Sequence, residues 1–280
     1  MLDSRRLFRY FVLVSLSIVY IAELVGRGGI FAVKKMLPQL RRQWSPHLLI
    51  ANVNGATGGS GVGKAHALYL HKLGLDILTT GDAAFFKKDI LEVFPKSSWL
   101  LRPENYPPEV PGKGIRTVEL AGRSITVIQL LGQSGFSRVH LDNPFRLFDE
   151  AWPHLSRNGS RVIVDFHAAT SAEKNAFFRH VDGRATAVIG SHVRTRTADA
   201  RVLPGGTAVI TDAGRSGSML SVGGLDADTR IREYVSGIPS WARDSGEQLE
   251  VQGLHLELDD NGSVSFFESF RLPCKETFND

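Results

Sequence analysis

Two histidines occupy matched positions in this chain. VIVDFHAAT (162–170) and AVIGSHVRTRTAD (187–199) are apolar, β-branched runs that end in polar turns carrying His167 and His192. Neutral imidazole is a common ligand for divalent transition metals. Glu23, Asn54 and Asp82 each follow an apolar stretch in the same way. In open α/β sheets, ligands bind outside the carboxyl ends of the strands. Oxygen and nitrogen donors recurring at successive strand ends therefore suit a centre where two cations clamp a phosphate and activate a water. A single loop histidine would carry no such meaning; the recurrence does.

A second pattern competes with the first. Gly58-Gly59-Ser60-Gly61-Val62-Gly63-Lys64 satisfies G-x-x-x-x-G-K between a strand and a helix, as a nucleotide-binding P-loop requires, and 162–165 could serve as its partner strand ending in Asp165. The next residue is Ala65, where such a loop needs a hydroxyl for Mg²⁺, and the preceding strand ends several residues too early. A glycine-rich loop that merely contains a lysine accounts for the same residues.

The elements that must carry these residues alternate between strand and helix. Apolar strands are expected at 18–22, 47–53 and 75–80, and helices at 30–44 and from the glycine-rich loop through Lys72. Gly26-Arg27-Gly28-Gly29 reads as a turn, and Pro38 is expected to kink or split the first helix. LRPENYPPEVPGKG (101–114) forbids long regular structure. Strands follow at 116–120 and 124–131, a helix at 145–155, the two histidine strands, a strand at 207–211 and a hairpin over 249–272. This alternation indicates an α/β fold of mixed sheets flanked by helices.

Composition narrows the class. The 280 residues are 42% hydrophobic and 22% charged, and Lys+Arg 33 nearly balances Asp+Glu 29. The basic residues are scattered and give no specific nucleic-acid signal. The single cysteine, Cys274, excludes an intrachain disulfide and fits a reducing, cytoplasmic compartment. Arg5, Arg6 and Arg9 precede an apolar run from Phe11 to Ala22, so N-terminal membrane association is the alternative use of that segment.

The strings 101–114, VDFHAATSAEK (164–174), DGRATAVIGSHVRTRTAD (182–199) and LPGGTAVITDAG (203–214) resemble the bacterial YmdB-type metallophosphoesterases, which are calcineurin-like phosphodiesterases. The resemblance implies a calcineurin-like α/β sandwich with a single domain over 17–275, an N-terminal extension over 1–16 and a tail over 276–280. It also implies two-metal hydrolysis of cyclic nucleotides and a homo-oligomer. It assigns the glycine-rich loop to the metal site rather than to a nucleotide.

The site departs from the family pattern at several positions. Glu23 stands for an aspartate. Asn54-Gly55 stands for Glu-Asn, losing the bridging carboxylate. Asp82-Ala83 stands for Asn-His, losing the general acid, and Arg194 stands for the last histidine ligand. A guanidinium stays protonated and cannot bind a metal. One metal is left Glu23 and a share of Asn54, opposed by Arg194. The other keeps Asp82, His167 and His192, helped by Asn54. The expectation is therefore one divalent cation of Fe, Mn or Zn and lost or strongly reduced two-metal hydrolysis. The residual role is to bind a phosphate-bearing small molecule or a protein partner, with Arg194 as a phosphate clamp. An active phosphodiesterase with a remodelled one-metal site is the alternative.

Overall fold

Residues 16–21 are buried at every position, as befits a strand covered on both faces. Ile18 and Tyr20 face one apolar cluster while Val19 and Ile21 face another, so this strand belongs to two layers at once. A computed structural model describes residues 15–137 and 141–278. The chain runs β1 (Leu16–Ile21), β2 (Glu23–Leu24), α1 (Gly26–Trp44), β3 (Leu48–Asn52), α2 (Lys64–Lys72), β4 (Ile77–Thr79), β5 (Leu100–Leu101), β6 (Ile115–Leu120) and β7 (Arg123–Leu131). It continues with α3 (Pro144–Leu155), β8 (Arg161–His167), α4 (Ser171–Val181), β9 (Ala187–Ser191), β10 (Arg201–Val202), β11 (Ala208–Ile210), β12 (Arg215–Ser218), α5 (Ala227–Ser236), β13 (Leu249–Leu258) and β14 (Val264–Pro273).

These strands form an eight-stranded sheet, ordered β2-β12-β13-β1-β3-β4-β5 with β14 beside β13, and a six-stranded sheet, ordered β10-β11-β9-β8-β7-β6. Residues from both sheets, among them Ile18, Ile50, Leu254, Ile125, Ile163 and Ile189, share one buried layer between them. The outer face of the larger sheet packs on α1 and α2, and that of the smaller on α3 and α4. The result is a helix–sheet–sheet–helix sandwich, the mixed-sheet architecture that the alternation of elements indicates. Strands β1, β3 and β4 are parallel neighbours, as are β7, β8 and β9, so their carboxyl ends gather at one edge.

Two local expectations are corrected. Gly26 to Gly29 is the first turn of α1 and not a separate turn. A Cβ on Gly28 would lie 2.5 Å from the Ser245 carbonyl oxygen, and one on Gly29 2.4 Å from that of Ser216. These glycines let the helix start press against backbone rather than break it. Pro38 does not split α1 either, because its ring lies on the exposed face, where water can serve the carbonyl it leaves unpaired.

The proline-rich stretch after β5 is ordered. Asn105 clamps Leu131 by accepting from its N–H at 3.0 Å and donating to its carbonyl at 2.8 Å. The expected N-terminal extension lies outside the described residues, except for Ser15 and the first strand residue, Leu16. At the other end, Phe278 packs on Phe31 and donates its N–H to Gly246. No helix among the described residues is long and apolar enough to cross a membrane.

Candidate metal centre

The carboxyl ends of β4, β8 and β9 bring Asp82, His167 and His192 together, with one ligand atom from each within 4.8 Å of the others. Asp82 Oδ1 lies 3.0 Å from His167 Nε2 and 3.7 Å from His192 Nδ1, and the two ring nitrogens are 3.1 Å apart. One oxygen and two imidazole nitrogens converging this closely form a donor set suited to a single divalent transition metal.

A buried polar shell fixes the orientation of His167. The Ser191 hydroxyl donates to Asp165 Oδ1 at 2.8 Å, so it accepts from His167 Nδ1–H at 2.9 Å and leaves Nε2, the position that loses its proton when a metal binds, facing Asp82 and His192. Asp165 also receives the Tyr20 hydroxyl, the Thr79 hydroxyl and the Asn52 amide. Burial pushes the Asp165 carboxyl upward despite these donors, and burial together with Asp165 raises the Tyr20 phenol well above its ordinary value. Asp165 is thus an internal support for a ligand and not a Mg²⁺-binding residue beside a nucleotide.

The glycine-rich loop is likewise no P-loop. Asp89 accepts from the Lys64 amide at the start of α2, and the Lys64 ammonium pairs with Glu92 on the surface. The anion position and the lysine are therefore already used within the chain.

Asn54 and Glu23 lie beside this group, each bonded to other groups of the chain. The Asn54 oxygen accepts from the Ala83 amide at 3.0 Å, which fixes its Nδ2 toward Asp82 Oδ1 at 2.9 Å and His167 Nε2 at 3.4 Å. Asn54 therefore presents donors to the cluster and orients Asp82. Glu23 Oε1 accepts from Arg194 Nε at 3.0 Å and Nη2 at 2.8 Å, while its buried Oε2 takes no protein donor.

The guanidinium also donates to the carbonyls of Gly59 and Gly223, leaving one of its five N–H groups for a ligand. A Cβ on Gly55 would lie 2.8 Å from Arg194 Nη2 and 2.9 Å from Glu23 Oε1. The arginine therefore fills space that any side chain at 55 would claim. The Arg194 guanidinium thus sits against Glu23, beside the Asp82–His167–His192 group.

His192 and Arg194 both have left-handed backbone, φ 108° and 61°. Such conformations persist only where their surroundings enforce them. Asp212 supplies the restraint by accepting from the Val193 N–H at 2.9 Å and the Gly214 N–H at 3.0 Å, and the Arg215 guanidinium holds the Arg194 carbonyl. Lys174, on α4, neutralises Asp212 at 3.1 Å, with the two side chains 0% and 1% exposed. The sequence reading missed Asn52, Lys174, Ser191, Asp212 and Arg215. A lysine at a helix position that faces a sheet was the available signal, since lysine is almost never buried unless paired.

Electrostatics tie the cluster to pH. Burial would raise Asp82, but hydrogen bonds from His167 and His192 outweigh it and hold the carboxyl well below the usual carboxylate range. Burial would lower His167, but Asp82, with help from Glu23 and Asp165, lifts it above its ordinary value. Stability from the depressed Asp82 is present above its unfolded value of about 3.9 and lost as pH falls. Stability from the raised His167 is present below about 6.5 and lost as pH rises through its folded value.

A metal must displace the His167 proton, so its binding strengthens over that same rise. Thermal melts from pH 5 to 9 are expected to show the chelated protein losing stability with rising pH while the Mn²⁺-supplemented protein gains on it. Parallel curves would remove His167 from the centre.

Comparison with known proteins places this geometry in context. A family model described as YmdB-like protein matches residues 19–269. The chain is 34% identical over 243 residues to a 2',3'-cyclic-nucleotide 2'-phosphodiesterase of Bacillus subtilis, covering 87% of this chain and 91% of that protein. It superposes on the crystal structure of a phosphatase from Mycoplasma pneumoniae with a TM-score of 0.87 at 30% identity, covering 93% and 94% of the two chains. A hypothetical protein from Thermus thermophilus gives a TM-score of 0.85 at 30% identity, covering 92% and 99%. The sandwich is a metallophosphoesterase fold.

Proposed function

The chain belongs to the YmdB-like protein family, related to phosphodiesterases and phosphatases, and from this we propose that it binds a phosphate-bearing ligand at a centre for one divalent cation. On this reading, two-cation phosphodiester hydrolysis is lost or strongly reduced. The observation that carries it is the Glu23–Arg194 pair, a permanent positive charge bonded to the carboxylate that a second cation would need. A metal of the Fe, Mn or Zn type held by Asp82, His167 and His192 would supply Lewis-acid polarisation of a phosphoryl oxygen.

Arg194 contributes fixed charge and one free N–H to the same cleft, and Asn54 keeps Asp82 aimed at it. Ala83 has no proton to deliver, and losing a positioned acid costs roughly a hundredfold to ten-thousandfold in rate.

A second reading, a one-metal phosphodiesterase, is favoured by the Ser191–Asp165 shell, which presents His167 in the tautomer a catalytic ligand needs. Elemental analysis and an assay with 2',3'-cyclic AMP, chosen after the Bacillus relative, separate the two. About one metal per chain with no turnover is expected. About one metal with turnover that His192→Ala abolishes establishes the second reading. About two metals per chain would overturn both.

A further inference from the structure

His167 and His192 are held in different ways. The His167 side chain is fully buried, and the Ser191 hydroxyl fixes its ring by a hydrogen bond at Nδ1. The His192 side chain is 31% exposed, and its outer nitrogen, Nε2, has no protein partner among the described residues. An imidazole ligand usually takes its orientation from a hydrogen bond at the nitrogen that faces away from the metal. Asp212 acts on the backbone of this turn, through the Val193 N–H. Something else must set the ring.

Phe136 packs on it. The Phe136 ring centre lies 4.9 Å from that of His192, with the planes 72° apart, and 6.2 Å from that of His167, with the planes 14° apart. The two imidazoles meet at 4.9 Å and 80°. All three separations fall in the range of edge-to-face and offset-stacked contact, so the rings form one cluster. Turning the His192 ring would break its edge contacts with both neighbours at once.

Phe136 belongs to none of the three buried apolar clusters, so core packing does not account for its placement. The preceding residues do. Gly132 donates its N–H to the His167 carbonyl at 2.9 Å. Gln133 and Ser134 donate theirs to the Glu173 carboxylate, at 2.7 Å to Oε1 and 3.1 Å to Oε2, in the first turn of α4. Gly135 has φ 84°, and a Cβ there would lie 2.9 Å from that of Ala169, so only glycine lets the segment lie this close to the turn after β8.

We propose that Phe136 is a positioning residue for the metal centre. Its ring takes the place of the orienting hydrogen bond and keeps His192 Nδ1 aimed at Asp82 and His167, while Glu173 anchors the segment that carries it. This rests on the reading of Asp82, His167 and His192 as a metal centre, and its test keeps the two apart.

The full chain would first be stripped of metal and then titrated with Co²⁺ as the probe. NMR relaxation of the histidine rings in the stripped protein is expected to show His167 and His192 equally rigid, the His192 signal being the one lost in His192→Ala. Phe136→Ala should loosen His192 alone, because Ser191 still holds His167, and should weaken Co²⁺ binding by about tenfold or more. Phe136→Tyr should restore both readouts, since it keeps the ring. Glu173→Ala, which keeps the ring but frees its segment, should shift both in the same direction as Phe136→Ala. Neither Phe136 nor Glu173 belongs to a buried cluster, so both alanine variants should melt close to the wild type. A His192 ring that stays rigid in Phe136→Ala, or a Co²⁺ affinity indifferent to that change, overturns the positioning role and leaves the metal centre standing. Failure of the wild-type chain to take up Co²⁺ overturns the metal centre and the role with it.

Discussion

Lys174→Met is expected to lower stability by about 3–5 kcal/mol, the usual cost of stripping one partner from a buried ion pair. At this chain length that corresponds to a fall in Tm of roughly 10 °C. The reason is local. Burial already pushes the Asp212 carboxyl upward against the pull of Lys174, so without the ammonium it is left as an unpaired buried charge or must take up a proton, and either costs stability. Asp212 would also keep the Val193 and Gly214 amides that it must hold.

The same change should reach the metal. His192 is the residue before Val193, and its left-handed backbone is enforced by that amide contact. Support of this kind is typically worth about tenfold to a hundredfold in metal affinity. Adding Asp212→Asn to Lys174→Met removes the stranded charge, so part of the Tm should return. Metal affinity should not, because a neutral amide holds the turn less firmly. Calorimetry and a Mn²⁺ titration on the single and double variants check this. Metal binding that recovers together with Tm would reduce the pair to a purely structural role.

The second large effect is a gain. In the combined variant Asn54→Glu, Gly55→Asn, Arg194→His, metal content is expected to rise from about one toward about two per chain. Glutamate at 54 supplies the negative charge that two neighbouring cations need to offset their mutual repulsion. Histidine at 194 replaces a permanent charge with a ligand and frees Glu23, whose second oxygen already lies buried without a donor. The order of substitution matters. Gly55→Asn alone would drive its Cβ to 2.8 Å from Arg194 and should be destabilising, whereas after Arg194→His the guanidinium is gone and the released Glu23 side chain can give way, leaving the Leu24 carbonyl at 3.0 Å as the remaining tight contact. This non-additivity is the signature of residues sharing one site. Turnover should stay low even with two metals, since Ala83 still offers no proton. Elemental analysis and a double-mutant cycle at 55 and 194 test the claim, and a content fixed near one would defeat it.

The layered fold was legible because most of it is written in alternation. β1 divides its side chains between two cores, and β8 and β9 are apolar runs that terminate at the residues of interest. The convergence of Asp82, His167 and His192 was legible for the same reason, since parallel neighbours end at one edge. What escaped is what strand and helix periods do not encode. Helix α5 buries nothing: Ile231, Tyr234 and Val235 fall at helical spacing but stay exposed, so no core calls for the helix, and its Asp226 and Gly237 caps are the other signal that announces it. The glycines that open α1 look like a turn until the backbone atoms pressed against them are known. Asn54 could be named as a site residue, but which end of its amide faces Asp82 depends on the Ala83 N–H, a contact without a sequence signature. Lys174 and Asp212 lie 38 residues apart and meet only because α4 and the end of β11 share an interior.

Arg194 joins Glu23, the Gly59 carbonyl and the Gly223 carbonyl through a single side chain. A dissolved ion performing that task would come and go with supply, and the three segments would loosen whenever it left. A guanidinium is synthesised with the chain and cannot be starved, chelated or exchanged. The positive charge that Arg194 brings to this cleft is therefore inherited with the chain, and the three segments it joins stay assembled whatever the Asp82–His167–His192 group holds.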